Sequence, residues 1–235
     1  MTRDETQDNP NPIIFNDNAV FQTSKQVTAF LLCRSCEVRL NKNGEDWFLK
    51  YCSRKDKFLM HSLVQAARPE IVFPKIKIYH AAKLAQINVA ALSYFALSMF
   101  WRASVRQWQL CGVENRGIKL GPYEERLRKY LLGETAFPQD CVLWVSIPAH
   151  VTAFCALSLT PYGSRKVGHH LYKFLARGVG FQLFVGKQIP EENRHMCFVN
   201  TNGNPIYQTD MLEEGITNDV LYKFTLNPEL AKGPK

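Results

Sequence analysis

Two thiols two residues apart, Cys33-Arg-Ser-Cys36, form the one spacing in this 235-residue chain with recognised chemistry. Thiolates so placed can grip a single tetrahedral metal from a tight knuckle. Two ligands do not complete a structural zinc site. The next candidates along the chain are Cys52 and His61, which would give Cys-x2-Cys-x15-Cys-x8-His. Against the metal reading stands a pair of partly buried free thiols. A redox dithiol is the weaker third reading, because no βαβ pattern surrounds the pair. His169-His170 follow Ser164-Arg165-Lys166. Adjacent histidines point to opposite sides of a strand, so this stretch reads as an exposed basic loop rather than a metal site. The chain has no Gly-x-Ser-x-Gly, Walker, Gly-x-Gly-x-x-Gly or His-Glu-x-x-His signature. Acids are sparse in the second half before Glu191, which leaves paired-carboxylate chemistry few candidates there.

The charge is the second signal. The net charge is +8, and it is uneven: residues 1–24 carry −3, residues 25–195 hold the excess of bases, and residues 196–235 carry −2. A basic body attracts phosphate backbones by counterion release. Arg102 and Arg106 lie four apart on a predicted helix that also carries Trp101 and Trp108, a combination that can clamp phosphates or stack bases. Trp101 itself reads as core, with arginine stems at its boundary. Lys119, Arg126 and Lys129 form a second basic group around a predicted helix that starts at Pro122, with Arg116 nearby. Glu125 and Lys129, and likewise Glu124 and Arg128, stand four apart in the favourable order, which would neutralise part of that face. The alternative for all these cations is a solvated surface.

The cysteines number seven, an odd count, and most lie singly in apolar stretches. The opening MTRDETQDNPNP has no apolar signal region. Together they predict a reducing, cytoplasmic compartment. Leu84 to Trp101 is the longest apolar stretch, but Gln86, Asn88, Ser93 and Ser98 interrupt it, so it reads as a buried helix rather than a membrane span.

These groups must be positioned by the following elements. Residues 1–18 read as an irregular lead-in. Ala19 to Thr23 suits a short strand. The text from Val27 to Leu40 runs into and out of the cysteine pair, Asn41 to Gly44 breaks it, and Glu45 to Cys52 resumes a helical spacing. Ile76 to Tyr79 suits an edge strand. A helix from about Val89 to Trp108 carries apolar residues at three and four, and a second runs from Pro122 to Leu132 and ends at Gly133. Cys141 to Ile147, Thr152 to Leu159, Gly180 to Val185 and Cys197 to Val199 read as strands at hairpin-like spacing. The expected fold class is α+β: a helical N-terminal half packed on a strand-rich, mostly antiparallel C-terminal half.

The segments LLCRSCEVRLNKNGEDWFLKYC, LSYFALSMFWRASVRQW and LGPYEERLRKYLLGE resemble a widespread group of bacterial proteins. Longer members of that group open with a further Cys-x-x-Cys and a Ser-His-Ile-x-Pro-like segment, similar to the first half of an HNH-type (treble-clef) zinc-nuclease module. The resemblance runs from about Asn9 to Tyr207. It implies that Cys33 and Cys36 correspond to the second zinc knuckle, and that zinc is the expected cofactor. No Cys or His precedes Cys33 here, so the first knuckle and the catalytic histidine are missing. The resemblance therefore implies three parts: a lead-in at 1–18, a degenerate zinc-knuckle segment at 19–68, and an α+β body at 69–235. The expected function is that of a cytoplasmic bacterial nucleic-acid-associated protein in phage-defence or mobile-element biology, rather than a competent nuclease by itself. Its partner would be DNA or RNA, with no membrane. Two alternatives stay open: an active metal-dependent DNA endonuclease, and an interaction module for an acidic protein partner.

Overall fold

The computed structural model of the protein describes residues 13–15, 20–22, 32–54, 57–105, 108–110, 113–115, 117–152, 155, 158–199 and 201–209. The architecture is α+β, with the helices in the N-terminal part and a mixed, mostly antiparallel sheet in the C-terminal part.

The sheet is built around three strands, β9 (Cys141–Ile147), β11 (His169–Ala176) and β12 (Val179–Val185), with β10 (Ser158–Lys166) beside β11. Three further short strands complete one flank: β5 (Ile71–Val72), β6 (Lys77–His80) and β13 (Pro205–Gln208). On the other flank lie β1 (Ile13–Phe15) and β2 (Val20–Gln22). The order is β2-β1-β10-β11-β12-β9-β13-β6-β5. Two pairings are parallel, β1 with β10 and β13 with β9; the others are antiparallel. β9 and β12 read as nearly continuous apolar runs, broken only by Ser146 and Gln182, because the sheet buries them on both faces.

One long helix, α4 (Val89–Val105), lies across the sheet. The Asn88 side chain accepts the Ala91 N–H at 2.9 Å and so caps its start. Its Leu92, Ala96, Leu97 and Phe100 are fully buried. Phe95 and Phe100 meet Phe174 of β11 edge-on, and Phe174 stacks on Phe181 of β12 at 4.6 Å. The predicted helix does not include Trp108, which belongs to β7 (Trp108–Leu110), paired with β8 (Val113–Asn115). α5 (Tyr123–Leu132) packs on α4 through Leu127 and Leu131 and ends at Gly133, as predicted. Among the described residues no helix is long and apolar enough to cross a membrane.

The predicted break at Asn41–Gly44 is absent. α1 (Arg34–Leu40) continues through a π-helical turn, Asn41–Glu45, into α2 (Asp46–Tyr51), so the backbone stays helical over 34–51. The reason is tertiary. A Cβ on Gly44 would stand 2.7 Å from the Phe95 backbone nitrogen. Glycine lets the two helix backbones touch, and the widened turn presents it to α4. This close approach brings Phe48 onto Phe95, with ring centroids 3.8 Å apart and planes 8° from parallel. After α2, β3 (Ser53–Arg54) pairs with β4 (Lys57–Phe58), and Phe48 and, from α3 (Leu59–Gln65), Met60 and Val64 join the core formed by α4 and the sheet.

Other strand expectations are also corrected. The strand expected at Thr152–Leu159 begins only at Ser158 and runs on to Lys166. Cys197–Val199 is not a strand: Phe198 and Val199 form a bend, tied to β9 by the Phe198 N–H, which donates to the Leu143 carbonyl. The Ile76–Tyr79 strand lies inside the sheet, between β13 and β5, rather than at its edge. The stretch expected to be a basic loop at His169-His170 begins β11.

Candidate functional site

The register of the central strands lines up one end of the sheet. Arg165 on β10 pairs with His170 on β11, His170 with Val185 on β12, and Val185 with Cys141 on β9. Opposed residues share a face, so Arg165 and His170 lie on the face that carries α4, beyond its cover. The His170 ring runs parallel to Tyr172, 6.1 Å away at 6°. Tyr172 lies flat against β10 because the facing residue is Gly163, where a Cβ would collide with the tyrosine ring. The Tyr172 hydroxyl donates to the Lys119 carbonyl. Lys119 stays exposed while Ile118 and Leu120 on either side of it are buried. The Gln188 N–H donates to the Gly168 carbonyl, which keeps the exposed Lys187 close to the β10–β11 turn.

α5 reaches the same end. The Arg126 guanidinium is ion-paired with Asp140, the residue just before β9, and sits 5.2 Å from the centre of the Tyr123 ring. The Asp140 pairing pushes the guanidinium's pKa up, so its charge is firmly held. Lys119, Arg126, Arg165, His170 and Lys187 therefore gather at one end of the sheet. Residues 141–190 contain five Lys and Arg and no Asp or Glu, so the strands that build this end contribute no opposing carboxylate. The sequence signal for this was the absence of acids over fifty residues. The strand register that aligns the cations was not legible.

The remaining expected cations are placed differently. Arg102 is partly buried and ion-paired with Glu45 of the π turn at 2.5 Å, tying two helices together rather than facing solvent. Arg106 lies outside the described residues, as does Arg116. Lys129 is exposed on α5. The expected four-apart pairs give way to a three-apart one: Arg128 grips Glu125 with two nitrogens at 2.6 and 2.8 Å, which depresses the carboxyl's pKa.

The four expected metal ligands lie on α1, at the end of α2 and on α3. Cys33 is exposed at the start of α1 and Cys36 is partly exposed one turn on. Cys52 is buried behind α2, its thiol directed to the Leu49 carbonyl. The His61 ring on α3 lies 3.3 Å from the Ala149 carbonyl. Among the described residues no three His, Cys, Asp or Glu side chains come together to hold a metal. Cys52 follows the end of this unbroken helix, 16 positions beyond Cys36. At Cys33 the thiol pKa is lowered to about 7, chiefly by the Ser35 hydroxyl 3.0 Å away, then by the polar hydrogens of Cys36. The Cys36 thiol keeps its proton more tightly than usual, because it hydrogen-bonds to Cys33. Burial pushes the thiols of Cys141 and Cys197 up.

The chain matches no family model, no curated protein and no solved structure.

Proposed function

We propose that the protein associates with nucleic acid, and that it does so through phosphate contacts at the hairpin end of its sheet. The observation that carries this reading is the row Arg165–His170, on strands that contain no acid, with the exposed Lys119 and Lys187 beside it and Arg126, paired with Asp140, at the same end. Clustered exposed cations on a rigid sheet release counterions from a polyphosphate backbone, which favours binding without reading sequence. The resemblance of the Cys33–Cys52 text to HNH-type modules points to the same class of ligand, and a role in phage defence or mobile elements rests on that resemblance alone. No cleavage step is part of this proposal.

The test is a salt series of duplex DNA and RNA binding by the full chain, alongside a Lys119→Gln, Arg165→Gln, Lys187→Gln variant. These three positions are exposed, so the variant keeps the fold. Binding should weaken evenly across sequences, and the slope of log affinity against log salt should flatten by up to about three units. Unaltered affinity and slope would overturn the assignment. Binding to poly-glutamate as tight as to DNA would instead favour an acidic protein partner.

A further inference from the structure

We propose that Cys33 and Cys36 form a redox-active dithiol that exchanges with small disulfides, anionic ones by preference. The placement of the two thiols carries this. They sit at either end of the first turn of a helix that stays helical to Tyr51, three residues apart and therefore on one side of it. Cys33 is exposed and can meet a partner; Cys36 is partly covered and faces Cys33, the arrangement of an attacking thiol and a resolving one. The other described cysteines, Cys52, Cys141, Cys155 and Cys197, are buried. Ser35 stands ready to donate to a Cys33 thiolate.

The surroundings favour an anion. Cys36 opens onto a shallow cleft between α1, α4 and α5, whose wall includes Arg39, Tyr94, Trp101 and Arg128, the last already paired with Glu125. Arg39 is close enough for its charge to act on the Cys36 thiol. Arg34, exposed, follows Cys33 in the chain, and one exposed acid, Glu37, follows Cys36, so with Arg39 the bases outnumber the acid around the pair. A disulfide that carries carboxylates is drawn to this rim, whereas a cationic one is repelled.

The chemistry balances as follows. The Cys33 thiolate attacks one sulfur of an external disulfide, R–S–S–R′, forming Cys33–S–S–R and releasing R′–S⁻, which takes a proton from water. The Cys36 thiol then loses its proton to solvent and attacks the Cys33 sulfur, releasing R–S⁻ and closing the Cys33–Cys36 disulfide. Two protein thiols are oxidised by two electrons and one external disulfide is reduced to two thiols. This inference does not depend on nucleic-acid association.

The chain offers its own readout. Trypsin cuts after Lys25, Arg34 and Arg39, so Cys33 falls in QVTAFLLCR and Cys36 in SCEVR, two peptides joined only when the disulfide has formed. The reduced full-length protein is treated with glutathione disulfide, quenched with N-ethylmaleimide and digested without reductant. The joined peptides should appear and then vanish on adding reduced glutathione. Cys36→Ser should stop at a glutathione adduct on QVTAFLLCR, and Cys33→Ser should slow capture in this segment at least tenfold. Cystamine, a cationic disulfide, should react at least several-fold more slowly than glutathione disulfide, and Arg39→Gln should narrow that gap. No joined peptides in the wild-type protein at any glutathione ratio would overturn the proposal. So would a protein that carries one equivalent of zinc and whose two thiols react only after a chelator is added.

Discussion

The thiol of Cys33 differs from the other described cysteines in its exposure and in the groups that face it, and its acidity follows from them. A pKa of about 7, against a usual 9.0, means that the thiolate predominates above pH 7 and is lost as pH falls through that value. The rate of Cys33 alkylation by iodoacetamide, read on the QVTAFLLCR peptide, should therefore be half-maximal near pH 7. Ser35→Ala removes the largest stabilising group and should move that midpoint upward. A midpoint that stays at the free-cysteine value would show that Ser35 does not hold the thiolate. The cysteine spacing was legible in the sequence, and so was the possibility that the pair stands alone. Its separation from Cys52 and His61 was not, because spacing along a chain does not reveal whether the intervening residues fold back or run on as helix. Arg102 gives the same lesson for charge: its position beside Trp101 suggested a phosphate clamp, yet Glu45, 57 residues earlier, occupies it.

The helix over 34–51 depends on one close contact. Asn-Lys-Asn-Gly reads locally as a break, because asparagine and glycine favour turns. Packing against α4 outweighs that preference, since glycine there permits backbone contact and the stacked Phe48–Phe95 pair follows from it. Gly44→Ala places a methyl group against the Phe95 backbone, which cannot move aside as a flexible side chain would. The substitution should cost about 1–3 kcal/mol. For a chain of this size that lowers the melting temperature by several degrees, measurable by calorimetry; an unchanged melting temperature would mean that the helices do not touch at this position. α4 itself was legible from its apolar spacing, and its burial follows. Leu92 is fully buried, so Leu92→Ala should destabilise the protein by about 2–5 kcal/mol in denaturant unfolding. A loss below about 1 kcal/mol would place Leu92 outside the core.

At the scale of the whole molecule, the distribution of charge sets the expected behaviour. With about four phosphate contacts at the hairpin end, affinity for duplex DNA should fall about a hundredfold between 50 and 200 mM salt. Fluorescence anisotropy across that range checks it, and a flat profile would count against phosphate contacts. The α+β class, the central helix, the end of α5 at Gly133 and the basic middle of the chain were all determined by the sequence itself, through apolar period, capping residues and composition, which are local or summed properties. Tertiary structure decided the rest. It drew Ile71–Val72 and Lys77–His80 from the helical half into the sheet, beside β13, and it turned a suspected loop at His169-His170 into a strand. It also decided which cations pair with acids, such as Arg102 with Glu45 and Arg126 with Asp140, and which stay exposed at the sheet end, such as Lys119, Arg165 and Lys187. Such outcomes depend on strand register and on contacts between residues far apart in the chain, where the free energy of a pairing comes from partners that no local window contains.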